Sequence, residues 1–406
     1  MTIAQGINKL TSYKTQTGLG VPAIGAGGQT LRRKTSIASK KRATYLNDEI
    51  NSYQQSYGVN LGTASTSWAF DGLLSPLTYE AMFSMLLRKA FVTGSVSSSA
   101  SLTIAGAGPF TLTRATGSWL TDGFKLNDVF QISTGSFVNP VNLTNNFLIT
   151  GITALVLTYI VVNGTVCIAE GPIATSTTTV IGKKCFAANT SQTDTLFTIE
   201  EWYPEIAQSE VFPDMRMGQI DIGLPASGNA TIKIAAQGLG VRTSGTAQAL
   251  TTPTAATTTN VLTAVRGVLT VNGNQVVTVT GVTITVKATL TAEGPIVGSN
   301  FSPDMARGLI EVSGQFTGLF DTAVLKTLFD NETVTSLCAV MAADTTNSAN
   351  FVAVGCSAIK LTGSDPDDGV KGIVRTYPFT ASINLAGGPA LNSDQTIFTI
   401  QDSQAV

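Results

Sequence analysis

The chain contains no histidine among its 406 residues. That excludes a Ser-His-Asp triad, a Cys-His pair and an HExxH zinc site, each of which needs an imidazole as base or ligand. Four cysteines are present, Cys167, Cys185, Cys338 and Cys356. None forms a CxxC pair, and with no histidine to join them on a metal they read as buried thiols suited to a reducing compartment. The carboxylates offer little more. Glu200 and Glu201 are adjacent, and on a strand adjacent side chains point to opposite faces, so they cannot act as an acid/base pair. Asp365, Asp367 and Asp368 sit in the run Asp365-Pro366-Asp367-Asp368-Gly369, which reads as a turn. Three carboxylates fall short of the roughly six to eight oxygens that calcium takes. No GxxxxGK[ST] loop occurs, and no GxGxxG opens a helix. Gly25-Ala26-Gly27-Gly28 precedes a basic strand and reads as a flexible arm. The expectation is a protein without catalytic residues, metal or cofactor.

Charge is sparse and unevenly placed. Charged residues make up 12% of the chain, against roughly 25% in ordinary soluble domains. The net charge of -2 argues against a dedicated nucleic-acid binder. Residues 1–60 hold eight Lys/Arg and two Asp/Glu, and the remainder holds 16 and 24. The excess lies in Arg32, Arg33, Lys34, Lys40, Lys41 and Arg42. No aromatic residue interleaves with this cluster, as a nucleic-acid groove would require, so it reads as an exposed strand and loop making polar contacts.

The elements are mostly strands. Thr, Ser, Gly and Val dominate, with 43% hydrophobic residues, which favours strands and turns over helices. Thr66, Trp68 and Phe70 alternate with Ser65, Ser67 and Asp71. Ile310, Val312, Gly314 and Phe316 alternate with Glu311, Ser313, Gln315 and Thr317. Tyr377, Phe379, Ala381 and Ile383 alternate with Thr376, Thr380, Ser382 and Asn384. Two short amphipathic helices follow the first two of these strands. Ser75-Pro76 caps one carrying Tyr79, Met82, Phe83, Leu86 and Ala90. Asp321 caps the other, carrying Val324, Leu325 and Leu328 and ending at Asn331.

An internal repeat pairs Pro213 to Ile222 with Pro303 to Val312. Pro, Asp, Met, Gly and the first Ile are identical, which suggests duplicated structure. Between the helices, residues 95–185 carry Gly-Pro and Asn-Gly turns and five short strands, from Thr103-Ile104 to Leu155–Val162. The apolar run Leu148 to Val162 is interrupted by Thr150, Gly151, Thr153 and Thr158. It is shorter than the about 20 residues of a membrane span, so it reads as two buried strands filling a small barrel. The Thr-rich run from Ala247 to Asn260 lacks periodicity and reads as a linker. Met1 to Gly20 lacks the apolar core of a secretory signal.

Several stretches together resemble the major tail tube protein family of long-tailed bacteriophages. They are Asn47 to Gly58 with Phe70 to Tyr79, Leu196 to Glu201 with Met217 to Ile220, and Gly308 to Leu337 with Val374 to Ala381. The resemblance implies a mainly β fold: two duplicated tube-type β-sandwich domains, each with a short flanking helix, and an inserted small β-barrel on the exterior. The expected divisions are 1–94 and 186–245 for the first tube domain, 95–185 for the insertion, 246–262 for the linker and 263–406 for the second tube domain. It implies a structural virion protein whose trimers form pseudo-hexameric rings, stacked into a tube that conducts double-stranded DNA without binding it tightly. Its partners would be itself and the tape measure, terminator and distal tail proteins, with assembly in the host cytoplasm and no membrane. A baseplate or fibre protein, or a secreted adhesin, is the alternative. The duplicated strand-helix unit favours the tube over a fibre, and the missing signal and 7% aromatic content disfavour an adhesin.

A DNA conduit should be wet and non-adhesive, because Lys and Arg hold phosphate. Alternation selects the candidate lumen residues: Ser65, Ser67, Asp71, Gln219, Asp221, Thr231, Lys233, Glu311, Ser313, Gln315, Thr317, Thr380, Ser382 and Asn384. With three carboxylates and one lysine, that face is expected to be acidic. The basic cluster is expected to meet acidic surface on a neighbouring subunit.

Overall fold

A computed structural model describes residues 3–50, 52–56, 58–99, 101–368 and 370–406. The fold is mainly β, as expected, with only two α-helices among the described residues. The first half contains β1 (Leu10–Thr15), β2 (Ala26–Thr30), β3 (Thr35–Leu46), β4 (Val59–Leu73), α1 (Glu80–Leu87) and β5 (Val92–Thr93). Strands β6 to β13 lie between Val96 and Val180. Then come β14 (Lys183–Phe186), β15 (Phe197–Tyr203), β16 (Gln208–Pro225), β17 (Thr231–Gly238), β18 (Thr243–Gly245) and β19 (Thr252–Thr254). The second half contains β20 (Gly267–Val271), β21 (Asn274–Gln275), β22 (Val279–Ala292), β23 (Met305–Leu319), α2 (Val324–Asp330), β24 (Thr335–Ala342), β25 (Phe351–Leu361), β26 (Asp365–Pro366), β27 (Val374–Ala381) and β28 (Thr399–Asp402).

The two halves repeat one set of antiparallel pairings. In the first, β2 pairs β1, β1 pairs β15, β15 pairs β16, β16 pairs β17, β17 pairs β4 and β4 pairs β3. In the second, β21, β20, β24, β25, β27, β23 and β22 pair in the same succession. The irregularities coincide as well. A register shift between Arg42 and Thr44 matches one between Ala288 and Leu290. A shift between Phe197 and Ile199 matches one between Thr335 and Leu337. Bulges bend and re-aim a strand, so two bulges matched between the halves mark one architecture built twice.

This duplication does not run in the register of the matched decapeptides. The first peptide lies on β16 and the second leads into β23, and these strands hold different places in the two halves. The peptides instead touch: the Arg216 guanidinium lies 2.6 Å from Asp304 Oδ1 and also donates to the Met305 carbonyl.

Period-2 alternation explains the layering. Trp68, Phe70, Ile220, Ile222, Ile232, Ile234, Ile284, Val286, Phe316 and Phe379 all feed one large core shared by both halves. Trp68 also satisfies its indole by donating to Ser36 Oγ at 3.0 Å, as a buried indole must. The β20–β21 turn places Asn272 and Gly273 at φ 54° and 71°, the left-handed pair that a two-residue hairpin turn needs.

Both helices begin later than their expected caps. Ser75 Oγ turns to Thr78 Oγ1 at 2.7 Å, and Leu77 has φ 67°, so the chain makes a left-handed turn before α1 starts at Glu80. Arg88 ends it at φ 58°, which leaves Ala90 outside. In α2 the N-cap position is Ala323, not Asp321, while Asn331 stands at the C-cap as expected. Neither helix is long and apolar enough to cross a membrane.

Strands β6 to β13 form a separate eight-stranded antiparallel sheet with its own core, including Leu112, Trp119, Phe130, Phe147 and Tyr159. No pairing between its two end strands closes it among the described residues. The run Leu148 to Val162 does not serve that core alone. Ile149, Leu157 and Tyr159 do, whereas Leu148 and Val162, with Ile160 beside them, pack on Cys338, Val340, Phe351 and Ala353 of the second half. Alternation gives these strands two faces, and the far one is covered by β24 and β25. Gln401 reinforces the junction, donating to the carbonyls of Val129 at 2.8 Å and Ile181 at 2.7 Å. Excising residues 95–182 behind a short Gly/Ser bridge is therefore expected to give an aggregating chain. Adding Val340→Thr and Phe351→Thr should restore solubility, because the exposed patch is what drives association. Sedimentation velocity on both truncations checks this, and a monodisperse first truncation would contradict it.

The Thr-rich run is a packed strap rather than a free linker. Strand β19 pairs in parallel with β2, Leu250 and Leu262 are buried, and Glu200 accepts from the amides of Ala249 and Leu250. Gly369, the last residue of the acidic turn, lies outside the described residues.

Candidate functional site

The feature that gathers most of the candidate residues is one face of a continuous sheet. Strands β3, β4, β17, β16, β22, β23 and β27 pair side by side, and the pairing of β16 with β22 joins the two halves. One face is the core described above. The other carries a single cross-strand row: Thr35, Asp71, Lys233, Asp221, Thr285, Ser313 and Thr380.

The structure brings twelve of the fourteen candidates onto strands of this sheet, on the face away from the core. Ser65, Ser67, Lys233, Glu311, Ser313, Gln315 and Thr380 are exposed there, and Asp71, Gln219, Asp221, Thr231 and Thr317 are half-buried. Ser382 follows the end of β27, with its amide still donating to the Ala358 carbonyl. Asn384 has left the sheet and donates to Ser393 Oγ at 2.8 Å. Alternation along the sequence could not report where the strand stops.

Hydrogen bonds tie the face together. Thr35 Oγ1 donates to Asp71 at 3.0 Å, and the hydroxyls of Ser39 and Ser67 lie 3.0 Å apart. At the junction of the halves, Asp221 accepts from Thr285 Oγ1 at 2.7 Å and from Gln219 Nε2 at 2.8 and 2.9 Å.

Sequence reasoning missed two contributing strands. On β3 the face adds Thr35, Ile37, Ser39 and Lys41, and on β22 it adds Thr283, Thr285 and Lys287. The second was visible in principle, since Val282, Ile284, Val286 and Ala288 alternate with Thr283, Thr285, Lys287 and Thr289. These additions correct the expected charge. Lys41 and Lys287 join Lys233 against Asp71, Asp221 and Glu311, so the face is hydroxyl-rich and balanced, not acidic. Glu311 stands directly opposite Lys287, an arrangement that favours the sheet.

The basic cluster divides. Arg32 donates to the carbonyls of Thr257 at 3.2 Å and Thr259 at 2.6 Å, holding the Thr-rich strap. Arg33 donates to the carbonyls of Gly6 and Lys9. These two guanidiniums are thus spent within the chain. Lys40 sits 5.1 Å from the centroid of the Phe301 ring. Desolvation, with Arg42 and Arg242 nearby, holds its ammonium below the usual lysine range. Lys34, Lys41 and Arg42 are exposed and make no salt bridge among the described residues.

The two adjacent glutamates serve separate structural ends. Glu200 accepts from Ser209 Oγ at 2.5 Å and from the strap. Glu201 accepts from Ser36 Oγ and the Ala38 amide and pairs with Lys9 at 2.7 Å. Burial pushes the Cys185 and Cys356 thiols up to about 12, which keeps them protonated and unreactive.

A long, duplicated sheet with a wet, low-charge face and apolar backing is the architecture of a structural wall. The chain belongs to the phage tail tube protein family, which it matches over residues 3–385. The family assigns it a structural role in the virion tail and self-association into a tube. No curated protein matches the chain significantly.

Proposed function

We propose that three copies of this chain close into a ring of six similar units, and that stacked rings form the tail tube through which double-stranded DNA leaves the virion. The observation that carries this reading is the repeated pairing scheme, because a chain with two equivalent units needs three copies to make a sixfold wall. Open sheet edges invite pairing with another chain, and ring closure removes them. The polar face lines the lumen. Its Ser and Thr hydroxyls hydrate the wall, and its balanced charges give phosphate no continuous track of cations to grip. The eight-stranded sheet of residues 96–180 stands on the exterior, since the lumen must stay open. Tape measure, terminator and distal tail proteins contact the tube along its length or at its ends, and assembly takes place in the host cytoplasm.

Negative-stain imaging of the purified protein tests the reading. Tubes or stacked rings are expected, with class averages and native mass giving three chains per ring. Six chains per ring would refute the pseudo-sixfold arrangement, and a protein that stays monomeric under all assembly conditions would refute the tube.

A further inference from the structure

The seam inside the chain is a template for the seam between chains. The first half ends its share of the sheet on β16, and the second begins on β22. They pair antiparallel from Gln219 opposite Lys287 to Pro225 opposite Gly281. The repeated pairings and matching bulges equate β3 with β22, placing Ser39 where Thr285 stands and Lys41 where Lys287 stands. They equally equate β16 with β25 and β26, placing Asp365 where Asp221 stands. Each half thus offers the same two edges. Within the chain one pair of edges is joined, while β3 and β26 each keep one side without a strand partner among the described residues.

We propose that the β26 edge of one copy pairs antiparallel with the β3 edge of the next, in the register of the internal seam. Asp365 then stands opposite Ser39, and Gly363 opposite Lys41. This inference rests on the tube reading and specifies its subunit contact. The chemistry of the template is preserved. Internally, Thr285 Oγ1 donates to the Asp221 carboxylate at 2.7 Å, and the corresponding pair is again a hydroxyl and a carboxylate.

Charge favours the same match. Asp365, Asp367 and Asp368 are exposed and make no salt bridge among the described residues. Lys34, just before β3, and Lys41 and Arg42, within it, are equally exposed on the strand they would approach. Such complementarity steers encounter and suppresses wrong registers.

The contact between chains is weaker than its template at two neighbouring rungs, Pro366 opposite Ala38 and Asp368 opposite Ser36. Pro366 takes the place of Ile222 and has no N–H to donate. The Ala38 amide opposite it already donates to Glu201 Oε1 at 3.1 Å, and Lys9 Nζ occupies the Ser36 carbonyl at 2.7 Å. The ladder is interrupted there, and charge carries more of the contact.

Disulfide trapping in the full-length chain tests the register. The Asp367 amide donates to the Val374 carbonyl at 2.8 Å, so Asp365 also turns its amide toward β27. Asp365 and Ser39 therefore form the non-hydrogen-bonded kind of pair, with Cα atoms about 4.5 Å apart. That is inside the roughly 4.4–6.8 Å range of disulfides. The four native cysteines are buried and give little background. Oxidised tubes of Ser39→Cys/Asp365→Cys are expected to run as covalent trimers on non-reducing gels. The shifted pair Ser39→Cys/Asp367→Cys should link at least about tenfold less, being out of register by two residues. Asp221→Cys/Thr285→Cys should link within a chain without changing its mass. If the double variant does not assemble, co-assembled single variants Ser39→Cys and Asp365→Cys should give covalent dimers. Wild-type tubes whose variants link only in the shifted register, or not at all while the internal control does, would overturn this seam and leave the tube reading standing. A wild-type chain that forms no rings would sink both.

Discussion

Tubes carrying Ser313→Lys and Gln315→Lys are expected to assemble normally and to hold DNA back. Both side chains are exposed on β23 and make no side-chain hydrogen bond or salt bridge among the described residues, so folding should change by no more than about 0.5 kcal/mol. Neither site lies at a unit junction, unlike Asp221, whose carboxylate binds Thr285 across the seam. The substitutions add two positive charges per chain to the face proposed to line the lumen, and stacking repeats them along its whole length. Each phosphate engaged by a new lysine makes binding steeper in salt, by about 0.9 in the log-log slope. Open variant tubes should therefore retain duplex DNA at low salt and release it as salt rises, while wild-type tubes retain little. Phage carrying the variant should eject DNA slowly. Normal ejection from normal-looking variant tubes would place this face outside the lumen.

A second large effect is expected at Lys184. Its ammonium lies 2.7 Å from Asp128 and 2.8 Å from Asp394, tying the eight-stranded sheet and the C-terminal loop to β14. Desolvation pushes the Asp128 carboxyl up, and the nearby Lys184 cation opposes that shift. The two carboxylates hold Lys184 above the usual lysine range despite its burial. Lys125 anchors the same corner through the carbonyls of Gly388 and Leu391. Removing one partner of a buried pair strands the other, so Lys184→Met should cost about 3–5 kcal/mol at neutral pH. The pH dependence has a definite sign. In the variant the folded Asp128 has a raised pKa, so the fold gains stability below the unfolded value of about 3.9 and loses it as pH rises through the folded value. The deficit against wild type should narrow toward pH 4 and be largest near pH 8. Urea unfolding of both proteins at the two pH values measures this. A deficit under about 1 kcal/mol at pH 8 would mean that water already serves Asp128, contrary to its burial.

How much of this was legible beforehand depends on the range of the interaction involved. The period-2 pattern of Trp68, Phe70, Phe316 and Phe379 is local, and it correctly assigned a core face and a polar face to each strand. The two short helices and five of the eight strands between Val96 and Val180 were legible for the same reason. The family was legible too, from ordered stretches spread along most of the chain.

Pairing is not local, and there the sequence misled. The decapeptides at Pro213 and Pro303 suggested the register of the duplication, yet they occupy non-equivalent strands and meet through Arg216 and Asp304. The true correspondence shows only in shared partners and shared bulges, which are long-range hydrogen-bond features that no local match along the chain reports. Likewise, Leu148 and Val162 looked like the core of one small barrel, but a strand has two faces and only the neighbouring sheet decides what covers the second. Arg32 and Arg33 read as free charges until the strap and the N-terminal segment came within reach of their guanidiniums. The charge of the polar face was set last of all. It depends on which strands the fold sets side by side, and β3 and β22 brought in the lysines that balance it. Residue alternation along the chain thus determined which side chains could face water, and long-range strand order decided which of them face it together.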